Sequence, residues 1–172
     1  MILVILRHLF RFLLLISLQI LILNNIQLGT FINPFLYILF LLSLPVNLPK
    51  LLLLPIAFLT GLSIDMFQNT PGMHASACLF MMYLRPYWLK MISPRDGYDI
   101  ETEPSIKKLG FAWYIAYASL LVFVHHLFLF FIEVFRFSEF FDTLTRIALS
   151  SLLTLLLIII AQYLTSKPKT TN

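Results

Sequence analysis

Charge is scarce in this sequence. Only 12% of its 172 residues are Asp, Glu, Lys or Arg, against about 25% in soluble domains, and the mean hydropathy is +0.92. A water-soluble domain is therefore the wrong starting point. Cysteine is confined to Cys78, so an internal disulfide cannot form and Cys-rich metal motifs are ruled out. In its apolar run Cys78 reads as a small buried hydrophobe. Catalytic signatures are missing too: there is no G-x-S-x-G, no H-E-x-x-H and no Gly-rich phosphate loop. The net charge of +4 comes from Lys and Arg scattered at the ends of apolar runs. That is the pattern of helix ends at a membrane surface, with lipid as the neighbour, and not of a nucleic-acid-binding stripe.

What is present is hydrophobic length. Six apolar segments can be marked, at about 9–28, 31–46, 50–66, 73–90, 109–133 and 141–164. Backbone groups in hydrocarbon must bond within their own segment, so each is expected to be a helix. Segments two and three are short and contain Pro34, Pro45 and Pro55; they are expected inside the bundle, where tilts and broken turns are tolerated. The expectation is an all-α integral membrane protein, with 1–172 forming one six-helix transmembrane domain. The basic, apolar start MILVILRHLFRFLLLISLQILILNN lacks a small-x-small cleavage site and reads as an uncleaved first span.

Orientation follows from the cations beside each span. One side would hold Arg7, Arg11, Lys50, Arg85, Lys90, Arg95, Lys107, Lys108, Lys167 and Lys169, the other only Arg136 and Arg146. This bias predicts both termini in the cytoplasm and the 67–72 and 134–140 turns outside. The cytoplasmic loop 91–108 carries Asp96, Asp99, Glu101 and Glu103, read as a solvated charge run or as a docking point. Tyr83, Tyr87, Trp88, Trp113, Tyr114 and Tyr117 gather at the inner helix ends, as an interfacial aromatic belt would.

The stretch GLSIDMFQNTPGMHAS at 61–76 is the sharpest local feature. An acid at membrane depth costs about 2.5–3.5 kcal/mol on insertion scales. Asp65 must therefore be satisfied by backbone N–H groups or a cation, or else serve as an ion or substrate ligand. His74, His125, His126, Glu133, Asp142 and Arg146 are expected in the same outer half and form a candidate polar cluster. Adjacent helical residues point about 100° apart, so His125 and His126 cannot readily share one ion, and no metal is expected. Glu133 with Arg136, and Asp142 with Arg146, are spaced to pair along their helices; Arg146 reaching Asp65 is the alternative. Asp96 and Asp99 lie on the opposite side from Asp65, so they cannot form a catalytic dyad with it. Asp65 and Asp142 lack a motif that positions a nucleophile.

The stretch GLSIDMFQNTPGMHASACLFMMYL at 61–84 resembles the signature region of the bacterial rod-shape-determining membrane protein MreD family, through Gly61, Leu62, Asp65, Pro71, Gly72, Ala75, Tyr83 and Leu84. The remainder is similar only in length and span number. The resemblance implies a non-catalytic, cofactor-free subunit of the cell-elongation machinery in the bacterial inner membrane. Its implied partners are a single-span MreC-like protein, the glycan polymerase and transpeptidase of side-wall synthesis, and MreB filaments. It also implies a fold similar to the substrate-binding subunits of energy-coupling-factor vitamin transporters. The rival expectation is such a vitamin-binding subunit, although the Ala-x-x-x-Ala pattern those subunits carry on the first helix has no counterpart in LFRFLLLISLQILI. A membrane enzyme is the third class. Within the resemblance, Gly61 permits close helix approach, Pro71-Gly72 shape a tight outer turn, and Asp65 ties that turn to the helix end, making a rigid partner-binding corner.

Overall fold

The computed structural model describes residues 2–26, 32–99, 102–134 and 140–165. Among these residues the protein is all-α, with seven α-helices and no sheet. They are α1 (Ile2–Leu21), α2 (Ile38–Leu42), α3 (Lys50–Gln68), α4 (Met73–Met91), α5 (Ile106–Leu109), α6 (Phe111–Val134) and α7 (Phe140–Thr165), with a 3-10 turn at Leu23–Asn25. Four of the helical stretches are long and apolar enough to cross a membrane: Ile2–Asn25, α3, α6 and α7. They make this a multi-pass membrane protein by length and composition. Helix α4 has 19 residues, about 28 Å at 1.5 Å per residue, but it is less apolar because its buried face carries His74 and Arg85.

The expected first segment begins too late. Helix α1 starts at Ile2 and winds through Arg7, His8 and Arg11, because these side chains turn to Glu103 of the 91–108 loop instead of ending the helix. Segment three proves to be a regular helix with one face outward: Leu51, Leu52, Phe58 and Leu59 are exposed while Leu53, Ala57, Gly61 and Ile64 are buried. It is therefore a wall of the bundle, not an interior element.

The largest departure is the second segment. Only Ile38–Leu42 is α-helical; residues 32–35 have no regular structure and the chain turns again at 43–47. Pro34 and Pro45 bracket that short helix, and each removes a donor and disfavours helix at the residue before it. The segment is nevertheless the centre of the fold, with Phe35, Tyr37–Leu42 and Leu44 all buried. Its unpaired backbone is served by side chains from the surrounding helices. Ser150 and Thr154 of α7 accept from the N–H groups of Asn33 and Phe35, both at 3.0 Å. Gln19 of α1 donates to Pro34 O at 3.0 Å. Tyr117 of α6 donates to Leu42 O at 3.0 Å, and Arg85 of α4 donates to Leu44 O and Pro45 O. Irregular backbone at membrane depth is tolerated where protein supplies the partners. Here the partners come from four helices.

Candidate functional site

The C-terminal end of α3 and the N-terminal end of α4 meet in a corner built around Asp65. Helix α3 ends on Asn69 in the left-handed region (φ 55°), whose N–H returns to Asp65 O. Gly72 (φ +85°) is also left-handed and starts α4 without a capping side chain of its own. Asp65 supplies the missing cap from the neighbouring helix. Its Oδ1 accepts from His74 N at 3.0 Å and from Thr70 Oγ1 at 2.9 Å, and its Oδ2 accepts from Ala75 N at 2.9 Å. These amides are among the first-turn donors of α4 that have no partner within the helix, at the end where the helix dipole favours a negative charge. The acid is 3% exposed, and both of its oxygens accept hydrogen bonds from the turn and the start of α4.

Gly61 lies one turn earlier on the same face of α3. A Cβ there would stand 2.4 Å from Ala75 Cα and 2.5 Å from both Ala75 N and His74 O. Only a glycine lets the two backbones approach closely enough for the Asp65 carboxylate to reach the α4 amides. Leu62 is half-buried beside it, while Pro71 and Gly72 are exposed on the turn.

Behind the corner the three histidines converge, two of them joined by Tyr37, a residue with no polar neighbours in sequence to single it out. The hydroxyl of Tyr37 lies 3.0 Å from His74 Nδ1 and 2.7 Å from His125 Nε2. His74 Nε2 is 2.9 Å from Gln68 Oε1; a nitrogen facing an amide oxygen carries the hydrogen, so Nδ1 accepts from Tyr37 and His125 Nε2–H donates to it. His126 is held separately: its Nδ1 donates to Val122 O at 2.8 Å, and its Nε2 accepts from Thr154 at 3.2 Å. Phe35 packs against all three imidazoles. Cys78 is buried, with its sulfur 3.8 Å from both the Tyr37 hydroxyl and His125 Nε2. Among the described residues no group of three metal-ligating side chains forms.

The charged members of the expected cluster divide. Arg146 does not reach Asp65; it pairs with Glu133 at 3.1 Å and sits 4.2 Å over the Phe130 ring. With its amide oxygen turned inward, Asn33 accepts from the same guanidinium at 3.0 and 3.1 Å. Arg146 thus reaches a different helix and an extended strand of chain, because its own helix presents it toward α6. Asp142 is exposed in the first turn of α7, and Arg136, the other expected partner of Glu133, lies outside the described residues. Between this pair and the corner lies a cavity of about 620 Å³ lined by Asn24, Asn33, Phe35, Gln68, His74, Glu133 and Arg146 among others.

The opposite end of the bundle, near the C-terminal end of α4, holds a second buried charge. Arg85 is 0% exposed; its Nε donates to Tyr117 at 2.7 Å and its two terminal nitrogens to Leu44 O and Pro45 O. As a cation in the run MMYLRPYWLK it reads as a surface residue, and only its interior position within the apolar run hinted otherwise. The expected aromatic belt also splits. Tyr83 and Tyr87 are exposed beside Lys50, whereas Tyr114 and Tyr117 are buried and Trp88 and Trp113 donate to Ala116 O and Ile92 O at 3.1 and 2.9 Å. Glu103 is not merely solvated: it meets Arg7, Arg11 (3.7 Å) and His8 (3.5 Å) and fastens the loop to α1. In the same loop Tyr98 donates to Leu89 O at 3.0 Å, and partial burial raises its phenol pKa. Lys167 and Lys169 of the charge count lie outside the described residues, as does Glu101.

Compared with protein-family models, with curated proteins and with solved structures, the chain matches none. The likeness to the MreD family therefore rests on residues 61–84 alone.

Proposed function

We propose that the chain is a non-catalytic scaffold subunit of the machinery that builds the side wall of a rod-shaped bacterium. In this reading it is a six-pass inner-membrane bundle with both termini cytoplasmic, in which the broken segment 32–46 counts as one crossing. The architecture would be that of the substrate-binding subunits of vitamin transporters. The observation that carries the proposal is the convergence of Gly61, Asp65 and Ala75. Three of the residues on which the MreD resemblance rests meet in one helix–helix contact and fix one corner. The face of that corner is available to a partner: Met66 and Phe67 are 75% and 64% exposed, and Pro71 and Gly72 are exposed beside them. A rigid apolar patch at the outer membrane edge suits the span and the proximal outer segment of a single-span, MreC-like protein. The polymerase and transpeptidase would then be recruited around that pair, and MreB filaments would lie at the cytoplasmic face.

The test is purification of the tagged full chain from its own membranes in mild detergent, followed by mass spectrometry. Recovery of a single-span coiled-coil protein with the wall-synthesis pair is the expected result. Recovery of ATPase subunits and a coupling component would overturn the scaffold reading in favour of vitamin uptake.

A further inference from the structure

We propose that the outer cavity is a binding site for a small uncharged molecule that both donates and accepts hydrogen bonds, of nucleoside or monosaccharide size. Its volume of about 620 Å³ falls inside the roughly 300–1,000 Å³ of small-molecule sites. Its walls combine the amides of Asn24, Asn33 and Gln68 with the imidazole of His74 and the rings of Phe35 and Phe67. Amides offer donors and acceptors together, and aromatic walls give area for a flat or ring-shaped body.

Charge decides the class. Among the described residues lining the cavity, the one cation and the one anion, Arg146 and Glu133, neutralise each other at 3.1 Å. Arg146 is further occupied by Asn33 and by the Phe130 ring. An anionic ligand would have to displace Glu133, and a cationic one Arg146, breaking a pair whose side chains are 38% and 22% exposed. A neutral ligand meets no such opposition. Gln68 places the ligand in touch with the interior, since its side chain already holds His74, which holds Tyr37. The site does not depend on the scaffold reading, whose patch shares only Phe67 with the cavity wall.

The test uses the full chain in lipid nanodiscs and equilibrium binding of uridine, pyridoxine and N-acetylglucosamine, each beside its phosphate monoester. The comparison proteins are Ile26→Trp, which places a bulky ring at the cavity rim from an exposed position, and Gln68→Leu. The expected result is saturable binding of at least one neutral probe and binding of its phosphate ester at least about tenfold weaker. Ile26→Trp is expected to lose at least about tenfold in affinity with its thermal unfolding unchanged. Gln68→Leu should weaken binding as well, and its own unfolding curve separates lost binding from lost folding. Two results would overturn the proposal: no neutral probe that separates wild type from Ile26→Trp at millimolar concentration, or phosphate esters that bind as tightly as their parents.

Discussion

The two ends of the bundle each bury one charge, and they satisfy it in opposite ways. At one end Asp65 gathers N–H groups from the start of α4. At the other Arg85 gathers carbonyl groups from the end of the broken segment. Neither contact is an ion pair. Each charge is matched instead to the backbone groups that a helix end or a broken helix leaves unpaired. The lesson is that a charge inside this membrane protein marks a place where the backbone has run out of partners. The Asp65 site is rigid because glycine lets two backbones touch. The Arg85 site depends on a long side chain reaching across to another segment.

That comparison can be broken in order of expected effect. Gly61→Val should be the most damaging change, because the added atoms would overlap Ala75 and His74 backbone. Overpacking of this kind costs about 1–3 kcal/mol or more, and the separation of α3 from α4 would also release the Asp65 contacts. Thermal unfolding in detergent and a Gly61→Ala control should show graded loss. Asp65→Ala comes next, leaving two buried amides without acceptors, a loss of about 1–3 kcal/mol. Asp65→Asn keeps one acceptor oxygen and should recover about half of that. Arg85→Lys sharpens the contrast: a compact ammonium cannot reproduce the planar fork that serves Tyr117, Leu44 and Pro45. Its unfolding should fall by about 2–3 kcal/mol, and amide exchange should quicken around residues 43–46 without change at the outer corner. Tyr37→Phe removes the hydroxyl between His74 and His125, at about 1–3 kcal/mol. Glu103→Gln should be the mildest, within about 1 kcal/mol for partly exposed ion pairs, and should disappear at high salt while exposing 91–108 to protease.

How much of this could be read in advance depended on whether a residue's local context betrayed its role. Asp65 could be read because an acid beside Asn-Thr-Pro-Gly is costly in hydrocarbon and has a nearby turn to serve. The lengths of α3, α4, α6 and α7 followed from apolar runs bounded by polar residues. Segment 31–46 is helical only over Ile38–Leu42 because composition records apolarity and not hydrogen bonding; its partners, Gln19, Arg85, Tyr117, Ser150 and Thr154, are scattered over four other helices. Tyr37 is silent in the sequence for the same reason, since a tyrosine in an apolar run signals nothing until His74 and His125 are placed beside it. Arg85 and Glu103 read as surface charges in the sequence because a residue's place along an apolar run does not reveal its depth in the bundle.

The central claim is that the outer corner is the partner-binding surface. Its most direct test is a photo-crosslinking amino acid placed in living cells at Phe67, exposed on the corner, and separately at Tyr83, exposed toward the inner end. The account predicts a crosslink from position 67 to a single-span protein, lost when Asp65→Ala is introduced at equal protein level, and no such adduct from position 83. A crosslink to that protein from position 83 but not 67, or adducts at 67 indifferent to Asp65, would contradict it.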